Sequence, residues 1–153
     1  MRRGPRLGVD VGKARIGVAK CDPDGMLATP VVTVARGDGD IARILTEARE
    51  IGAVEIVVGL PLSLSGGETR STQDARDFAL LIARADPTPV RLVDERLSTV
   101  SAQRALQASG RNTKKSRPVI DQVAAVIILQ HALDFERSGG IPPGVVVDSH
   151  EGQ

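Results

Sequence analysis

The sequence predicts an α/β fold in which a five-stranded mixed sheet carries helices on both faces. Three short apolar segments joined by tight turns come first, which is the pattern of three antiparallel strands. Two later apolar runs are rich in β-branched residues, as parallel strands buried on both faces usually are. Segments with helical periodicity alternate with these runs, so helices are expected to cover the sheet.

The first half of the chain contains the antiparallel part of the predicted sheet. A β-hairpin is expected over residues 6–21, with its turn at 12–14, and a third strand over 27–35. Apolar residues then recur at helical spacing over 41–51, and Gly52 is a suitable end for that helix.

The second half supplies the parallel strands. A buried strand is expected over residues 54–60 and a shorter one over 90–93. Between them, a helix is predicted to run to about Arg84, and Ser71 with Asp74 resembles a capping box at its start.

The last predicted elements are two helices. One covers about 98–109, and the other covers about 118–136, with Pro118 well suited to a first helical position. The final helix is apolar nearly all round, so we expect it to lie buried against the sheet. We expect one domain over residues 1–137 and a flexible tail over 138–153, where glycine, proline and polar residues dominate.

Composition excludes several classes of protein. The 41% hydrophobic and 25% charged residues are ordinary for a globular protein, and no apolar run is long enough to cross a membrane. With Cys21 alone, an internal disulfide framework is excluded, and we expect a cytoplasmic protein, although Cys21 could form an intermolecular bridge in an oxidising environment. Two aromatic residues, Phe78 and Phe135, are too few for base-stacking platforms.

Acidic residues lie where the predicted elements begin and end. Asp10 is inside the first apolar run, where a buried carboxylate is costly unless a cation or hydrogen-bond donors compensate it. Asp94 and Glu95 end the last parallel strand, and Asp121 lies in the predicted first turn of the final helix. If that helix starts across the carboxyl edge of the sheet, these acids meet. Oxygen ligands without His or Cys favour Mg²⁺ or Mn²⁺.

Each acid also has an ordinary interpretation. Asp10 could merely shape the hairpin turn. Asp94 and Glu95 could be solvated beside Arg96, and Asp121 could simply be stabilised by the helix dipole. Strand alternation puts Asp94 and Glu95 on opposite faces, so the pattern alone does not choose between them.

Basic residues cluster in two groups along the chain, and a positive rim around an acidic centre is what an enzyme acting on phosphodiesters needs. One group lies near the first strand and includes Arg2, Arg3 and Arg6, and a second crowds into the segment before the final helix. A solvated loop is the ordinary interpretation of such a segment, but its place before Asp121 favours contact with a phosphate backbone. The nucleic-acid-binding candidates are Lys13, Arg15, Arg96, Arg111, Lys114, Lys115 and Arg117.

Four motifs in order resemble the YqgF/RuvX family of Holliday junction resolvase-like proteins, also described as pre-16S rRNA nucleases. They are D-V-G-x-x-R-I-G-V-A from Asp10, V-V-G-L-P-L-S at 57–63, V-D-E-R-L-S-T at 93–99 and D-Q-x-A-A at 121–125. The resemblance spans about residues 6–135. It implies an RNase H-like fold, a divalent metal, cytoplasmic localisation and maturation of the 5′ end of the 16S rRNA precursor.

The resemblance also implies roles for individual residues. Asp10 would be the central catalytic acid and metal ligand, Glu95 the second acid and Asp121 the third. Many nucleases of the wider superfamily have an acid where this chain has Gly59, and many resolvases have one where it has Ala124. A one-metal site is therefore better supported than a two-metal site.

Three functions remain open besides rRNA maturation. The chain could resolve four-way DNA junctions, which calls for a two-fold dimer, because a symmetric substrate needs two active sites. It could be a non-catalytic nucleic-acid-binding factor in ribosome assembly. A nucleotide-binding ATPase of the actin-like type is the third, but that fold needs two such domains and this chain has room for one.

Overall fold

In the computed structural model, which describes residues 1–97 and 117–148, six strands form one mixed sheet. In chain order they are β1 (Arg6–Val11), β2 (Arg15–Cys21), β3 (Ala28–Ala35), β4 (Glu55–Leu60), β5 (Val90–Asp94) and β6 (Val145–Val146). Their order in the sheet is β3-β2-β1-β4-β5-β6. Strands β1, β4 and β5 are parallel, and β2, β3 and β6 are antiparallel to their neighbours, so the predicted mixed sheet is confirmed.

Helices cover both faces of this sheet, as predicted. They are α1 (Asp40–Ile51), α2 (Arg70–Ala85) and α3 (Arg117–Gly139), with a short 3₁₀ helix at Glu95–Leu97. Gly52 ends α1 in the left-handed conformation that glycine adopts most easily. The helix predicted at 98–109 lies outside the described residues.

Alternation along the strands divides the core into two layers. Leu7 and Val9 of β1 point to the face covered by α1 and α2, where they pack with residues such as Ile44 and Phe78. Gly8, between them, faces α3. The α3 side of the core consists mainly of small and apolar residues, namely Ala19, Cys21, Ala28, Val57, Val93, Ala124, Ala125, Ile128, Leu129, Ala132 and Leu133.

Helix α3 lies unusually close to the sheet because glycines line its path. A Cβ at Gly8 would lie 2.8 Å from Leu129 Cβ, and one at Gly17 would collide with the backbone carbonyl of Asp121. Any larger residue at these positions would exclude the helix, so the backbone of α3 takes the room that the two glycines leave. The buried face of α3 repeats through Ala125 and Ala132, while Phe135 on another face is 40% exposed.

The structure corrects the predicted capping box of α2. Thr69 is the N-cap, with its side chain accepting from the Thr72 amide, while the Thr69 amide donates to Thr72 Oγ1 at 2.9 Å. Thr72 is fully buried and also donates to the carbonyl of Pro61. Asp74, the residue that the sequence assigned to the box, pairs with Arg36 of the segment after β3 instead.

The sixth strand adds to the five expected ones. Val145 pairs with Leu92 and Val146 with Arg91, and the Val147 amide donates to the Val90 carbonyl at 2.7 Å. These residues lie within 138–153, the range expected to be a flexible tail. A two-residue strand has no periodic pattern to detect, which is why the sequence did not predict it. The boundary between a domain at 1–137 and a tail stays a prediction.

Ion pairs to buried carboxylates join the amino ends of β1 and β4 to the carboxyl end of α3. The Arg2 guanidinium contacts Glu55 at 3.1 Å and Glu136 at 2.7 Å, and buried Arg6 also reaches Glu136 at 3.3 Å. Arg91 of β5 completes the network by contacting Glu55 at 3.1 Å. The expectation that Arg2 and Arg6 contribute to a positive rim is therefore wrong, because distant carboxylates neutralise them at the other end of β1.

Within residues 1–97 and 117–148, no helix has both the length and the apolar composition required to cross a membrane.

We expect Gly17→Ala to destabilise the protein by about 3 kcal/mol or more, because the added methyl meets the rigid backbone of α3 and the helix must shift. Gly139→Ala is the matched control, since nothing lies within 4 Å of its Cβ position. Urea unfolding followed by circular dichroism measures both. Equal stability of the two variants would contradict the close packing of α3.

Glu136 gives the protein an acid-sensitive ion pair. Burial disfavours its charged form, but the hydrogen bonds and charges of Arg2 outweigh burial and lower the pKa of Glu136 from 4.5 to about 2. Its contribution to stability is therefore complete above pH 4.5 and is lost as the pH falls toward 2.

At pH 7, Glu136→Gln should lower the free energy of unfolding by about 3 kcal/mol, because it leaves buried Arg6 without this partner. The difference from the wild type should shrink between pH 4.5 and 2. Asp134→Asn, in the same helix and with its side chain 57% exposed, should cost about 0.5 kcal/mol or less. Thermal or urea unfolding measures these differences. If the difference between Glu136→Gln and the wild type does not change with pH, the lowered pKa of Glu136 is disproved.

Candidate active site at the carboxyl ends of β1 and β5

Asp10 lies on β1, on the face covered by α3. It is two residues from Gly8 and opposite Gly17 in the antiparallel register, so its Cβ points to the same side as those of both glycines. The residue is only 2% exposed although it carries a carboxylate. The hairpin therefore places an acid beneath the start of α3 and does more than shape a turn.

Glu95 approaches the same face from β5. It follows the last residue of that strand and opens the 3₁₀ helix, where its side chain is 4% exposed. Its Oε1 lies 2.7 Å from the position that a Cβ of Gly59 would occupy. Gly59 follows Val58, the parallel partner of Val9, so it stands beside Asp10 in the sheet. The glycine that the sequence marked as a departure thus makes room for the Glu95 carboxylate.

Asp94 has a different environment. Its carboxylate contacts Arg96 Nη2 at 2.7 Å and also accepts from the Arg96 amide. The hydrogen bond from the Arg96 side chain holds the pKa of Asp94 below its usual range. Asp94 is thus committed to a local ion pair, whereas Glu95 is turned into the core. Of the two acids between which strand alternation did not choose, Glu95 is the one whose carboxylate lies beside β4, next to β1.

Asp121 is held at the site by its backbone and paired by its side chain. Its carbonyl packs on Gly17, and its Oδ2 accepts from Arg15 Nε at 3.0 Å. Because α3 begins at Arg117, Asp121 is its fifth residue and lies beyond the first turn. The expected stabilisation by the helix dipole is therefore replaced by the charge of Arg15, since the dipole acts mainly within the first turn.

The predicted phosphate-binding residues fall into three groups. Lys13 is exposed at the hairpin turn, as a surface contact requires. Arg15 pairs with Asp121 and Arg96 pairs with Asp94, so both already have acidic partners. Arg111, Lys114 and Lys115 lie outside the described residues, and Arg117 begins α3.

The chemistry of the three acids suits a hard divalent cation, because all of their ligand atoms are carboxylate oxygens. Gly17 also leaves room for the Asp121 backbone, and Gly59 for the Glu95 side chain, where any larger residue would exclude them. In the described part of the chain, however, no three acidic, His or Cys side chains converge closely enough to form a ready metal-binding group. The acids Asp10, Glu95 and Asp121 come to one region without presenting a finished ligand set.

Sequence reasoning missed Arg36, which holds the hairpin turn beside Asp10. Its guanidinium donates to the Gly12 carbonyl at 2.9 Å and to both carboxylate oxygens of Asp74 at 2.8 and 3.0 Å. It also lies 5.0 Å from the centre of the Phe78 ring, within range for a cation–π contact. A single arginine after a strand carries no sequence signal for these distant partners.

We expect Arg36→Gln to lower the free energy of unfolding by about 1.5 kcal/mol, because it removes charge-assisted hydrogen bonds from the turn and α2. Arg43→Gln breaks an exposed helical pair with Glu47 and should cost about 0.5 kcal/mol or less. Urea titrations of both variants test this. If the two losses are equal, Arg36 does not brace the turn.

The fold resembles that of RuvC. The structure entitled "T. thermophilus RuvC in complex with Holliday junction substrate" superposes with a TM-score of 0.60, covering 92% of this chain and 99% of that chain at 16% identity. The structure entitled "Thermus thermophilus RuvC structure" gives a TM-score of 0.55 at 18% identity, covering 91% of this chain and 99% of that chain. These likenesses confirm the RNase H-like fold.

Sequence comparisons identify the family. A protein of Clavibacter michiganensis subsp. michiganensis, named "Putative pre-16S rRNA nuclease", is 65% identical over 150 residues, which cover 96% of this chain and 93% of the relative. One of Leifsonia xyli subsp. xyli with the same name is 58% identical over 154 residues and covers 99% of each chain. Residues 4–135 match the family described as "RuvX: Holliday junction resolvase". The expected relationship is thus confirmed, and this chain belongs to the RuvX family.

Proposed function

We propose that this chain is a metal-dependent endonuclease that hydrolyses phosphodiester bonds and matures the 5′ end of the 16S rRNA precursor. The observation that supports it most is the delivery of Asp10, Glu95 and Asp121, from three separate elements, to one face of the sheet. The name shared by relatives up to 65% identical supports the choice of substrate. Such an enzyme works in the cytoplasm, where Cys21 remains a reduced, buried thiol.

The three acids would hold Mg²⁺ or Mn²⁺. A divalent ion bound by carboxylates supplies charge compensation and an activated water for phosphodiester hydrolysis. Asp10 is the central residue of the set, because β1 lies between β2, on which Asp121 packs, and β4, over which Glu95 lies. Gly17 leaves room for the backbone of α3 at Asp121, and Gly59 leaves room for the side chain of Glu95.

Basic residues would position the nucleic acid. Lys13 and Arg15 lie on the hairpin, and Arg96 lies next to Glu95, so phosphates on either side of the acids have nearby cations. The remaining predicted contacts belong to the segment that leads into α3, namely Arg111, Lys114, Lys115 and Arg117. Phosphate contacts of this kind fix the position of a substrate without selecting its sequence.

Resolution of Holliday junctions is the second candidate. The description of the family and the fold shared with RuvC favour it. A junction resolvase used in DNA recombination needs two active sites facing a symmetric substrate, so this function requires a two-fold homodimer. A factor that binds precursor rRNA without cutting it is the third candidate.

We expect Asp10→Asn to lower the cleavage rate of a precursor 16S rRNA fragment by about 100-fold or more in Mg²⁺, which corresponds to a loss of about 3 kcal/mol in transition-state stabilisation. Circular dichroism should show an unchanged fold. Asp134→Asn, on the exposed face of α3, is the control and should cut at the wild-type rate.

Parallel assays on a four-way DNA junction separate the candidates. If a dimer cleaves the junction but not the RNA, junction resolution becomes the better-supported function and rRNA maturation is ruled out. RNA binding without any cleavage by the wild type would support the non-catalytic factor. Wild-type cleavage by Asp10→Asn would refute the proposed site.

A further inference from the structure

Arg15 and Asp121 form an ion pair inside the proposed active site, and this pair competes with the function of Asp121. The Arg15 Nε to Asp121 Oδ2 distance is 3.0 Å, and the two side chains are 31% and 19% exposed. Arg15 is two residues before Gly17 on β2, so both are on the face that α3 covers. The guanidinium thus stands beside the one acid of the three that comes from the helix.

The backbone of Asp121 cannot adjust to improve this arrangement. Its carbonyl packs directly on Gly17, and the Gln122 amide lies 3.0 Å from the Cβ position of that glycine. The Gln122 side chain also donates to Thr33 Oγ1 at 3.0 Å, which ties this turn of α3 to β3. Only the side-chain torsions of Asp121 remain to redirect its carboxylate, and the ion pair with Arg15 constrains these torsions.

A phosphate group can replace the Asp121 carboxylate as the partner of Arg15. Arginine binds phosphate oxygens with the same planar donors that it presents to a carboxylate. A partly exposed ion pair is weakly held, because water and salt screen it, so a phosphate group can exchange with the carboxylate. With almost a third of its side chain exposed, Arg15 is accessible to such a group.

We propose that Arg15 is a positioning residue that couples nucleic-acid binding to metal binding, an inference that rests on the proposed function. In the free protein, Arg15 forms an ion pair with the Asp121 carboxylate. A phosphate of the nucleic acid takes over the guanidinium, and the carboxylate becomes available to the site of Asp10 and Glu95. By thermodynamic linkage, the divalent cation and the nucleic acid then strengthen each other's binding by the same factor.

The first test measures Mn²⁺ binding to the full chain by isothermal titration calorimetry, without nucleic acid. Arg15→Gln removes the ion pair between Arg15 and Asp121, so it should bind Mn²⁺ at least about five-fold more tightly than the wild type. Lys13→Gln is the matched control, because it removes an equal charge from the exposed turn and leaves the ion pair intact. The smaller change in Mn²⁺ affinity expected for Lys13→Gln measures the effect of losing one positive charge.

The second test measures the affinity of a fluorescein-labelled RNA stem–loop by fluorescence anisotropy, with and without Ca²⁺ in place of the catalytic cation. Ca²⁺ should tighten RNA binding to the wild type and to Lys13→Gln by at least about five-fold. In Arg15→Gln this enhancement should fall close to one. A merely structural role of Arg15 would lower both affinities but would leave their ratio unchanged.

The outcomes separate the coupling from the function on which it rests. If Arg15→Gln binds Mn²⁺ no more tightly than Lys13→Gln, or keeps the full Ca²⁺ enhancement, the coupling is disproved. Asp10→Asn tests the metal site itself, and it should lose Mn²⁺ binding. If the wild type and Asp10→Asn bind Mn²⁺ equally, the proposed site fails and the coupling fails with it.

Discussion

The close contact between α3 and the sheet is the constraint on which the rest of this structure depends. Gly8 and Gly17 leave no side chain beneath the helix, so its backbone lies against β1 and β2. This contact sets the height and the rotation of α3, and with them the place of Asp121. The same absence of a side chain at Gly59 admits the carboxylate of Glu95. The three acids share one face of the sheet because the residues between them are small.

A site of this kind brings like charges together, which destabilises a fold unless cations compensate them. Here the cations come from the site itself. Arg15 pairs with Asp121, and Arg96 pairs with Asp94 next to Glu95. Both arginines are among the proposed phosphate contacts, so under that proposal the charges that stabilise the free protein are also those that a substrate would use. Arg36 adds rigidity by fixing the turn that carries Lys13 and Arg15.

The sequence predicted most of the fold because its signals are local. Within residues 1–97 and 117–148, alternation, apolar runs and glycine punctuation located each strand of four or more residues. The periodicity of α1 was clear enough to place both of its ends. Strand alternation alone could not choose between Asp94 and Glu95 as the second acid. Strand β5 ends at Asp94, and the backbone then turns into a 3₁₀ helix, where strand alternation no longer applies. The partners of Arg36 and Arg2 were missed for another reason. They lie 38 and 134 residues away, and nothing in a local pattern identifies a distant carboxylate.

The ion network around Arg2 has a practical consequence for work on this protein. The Arg2 amide donates to Glu136 at 2.9 Å, and its guanidinium joins Glu136 to Glu55, so the second residue of the chain is an integral part of the folded unit. Appending foreign sequence there would crowd a contact that β1, β4 and α3 share. An affinity tag placed there would therefore disturb packing that extends through Glu136 and Arg91 as far as Pro143.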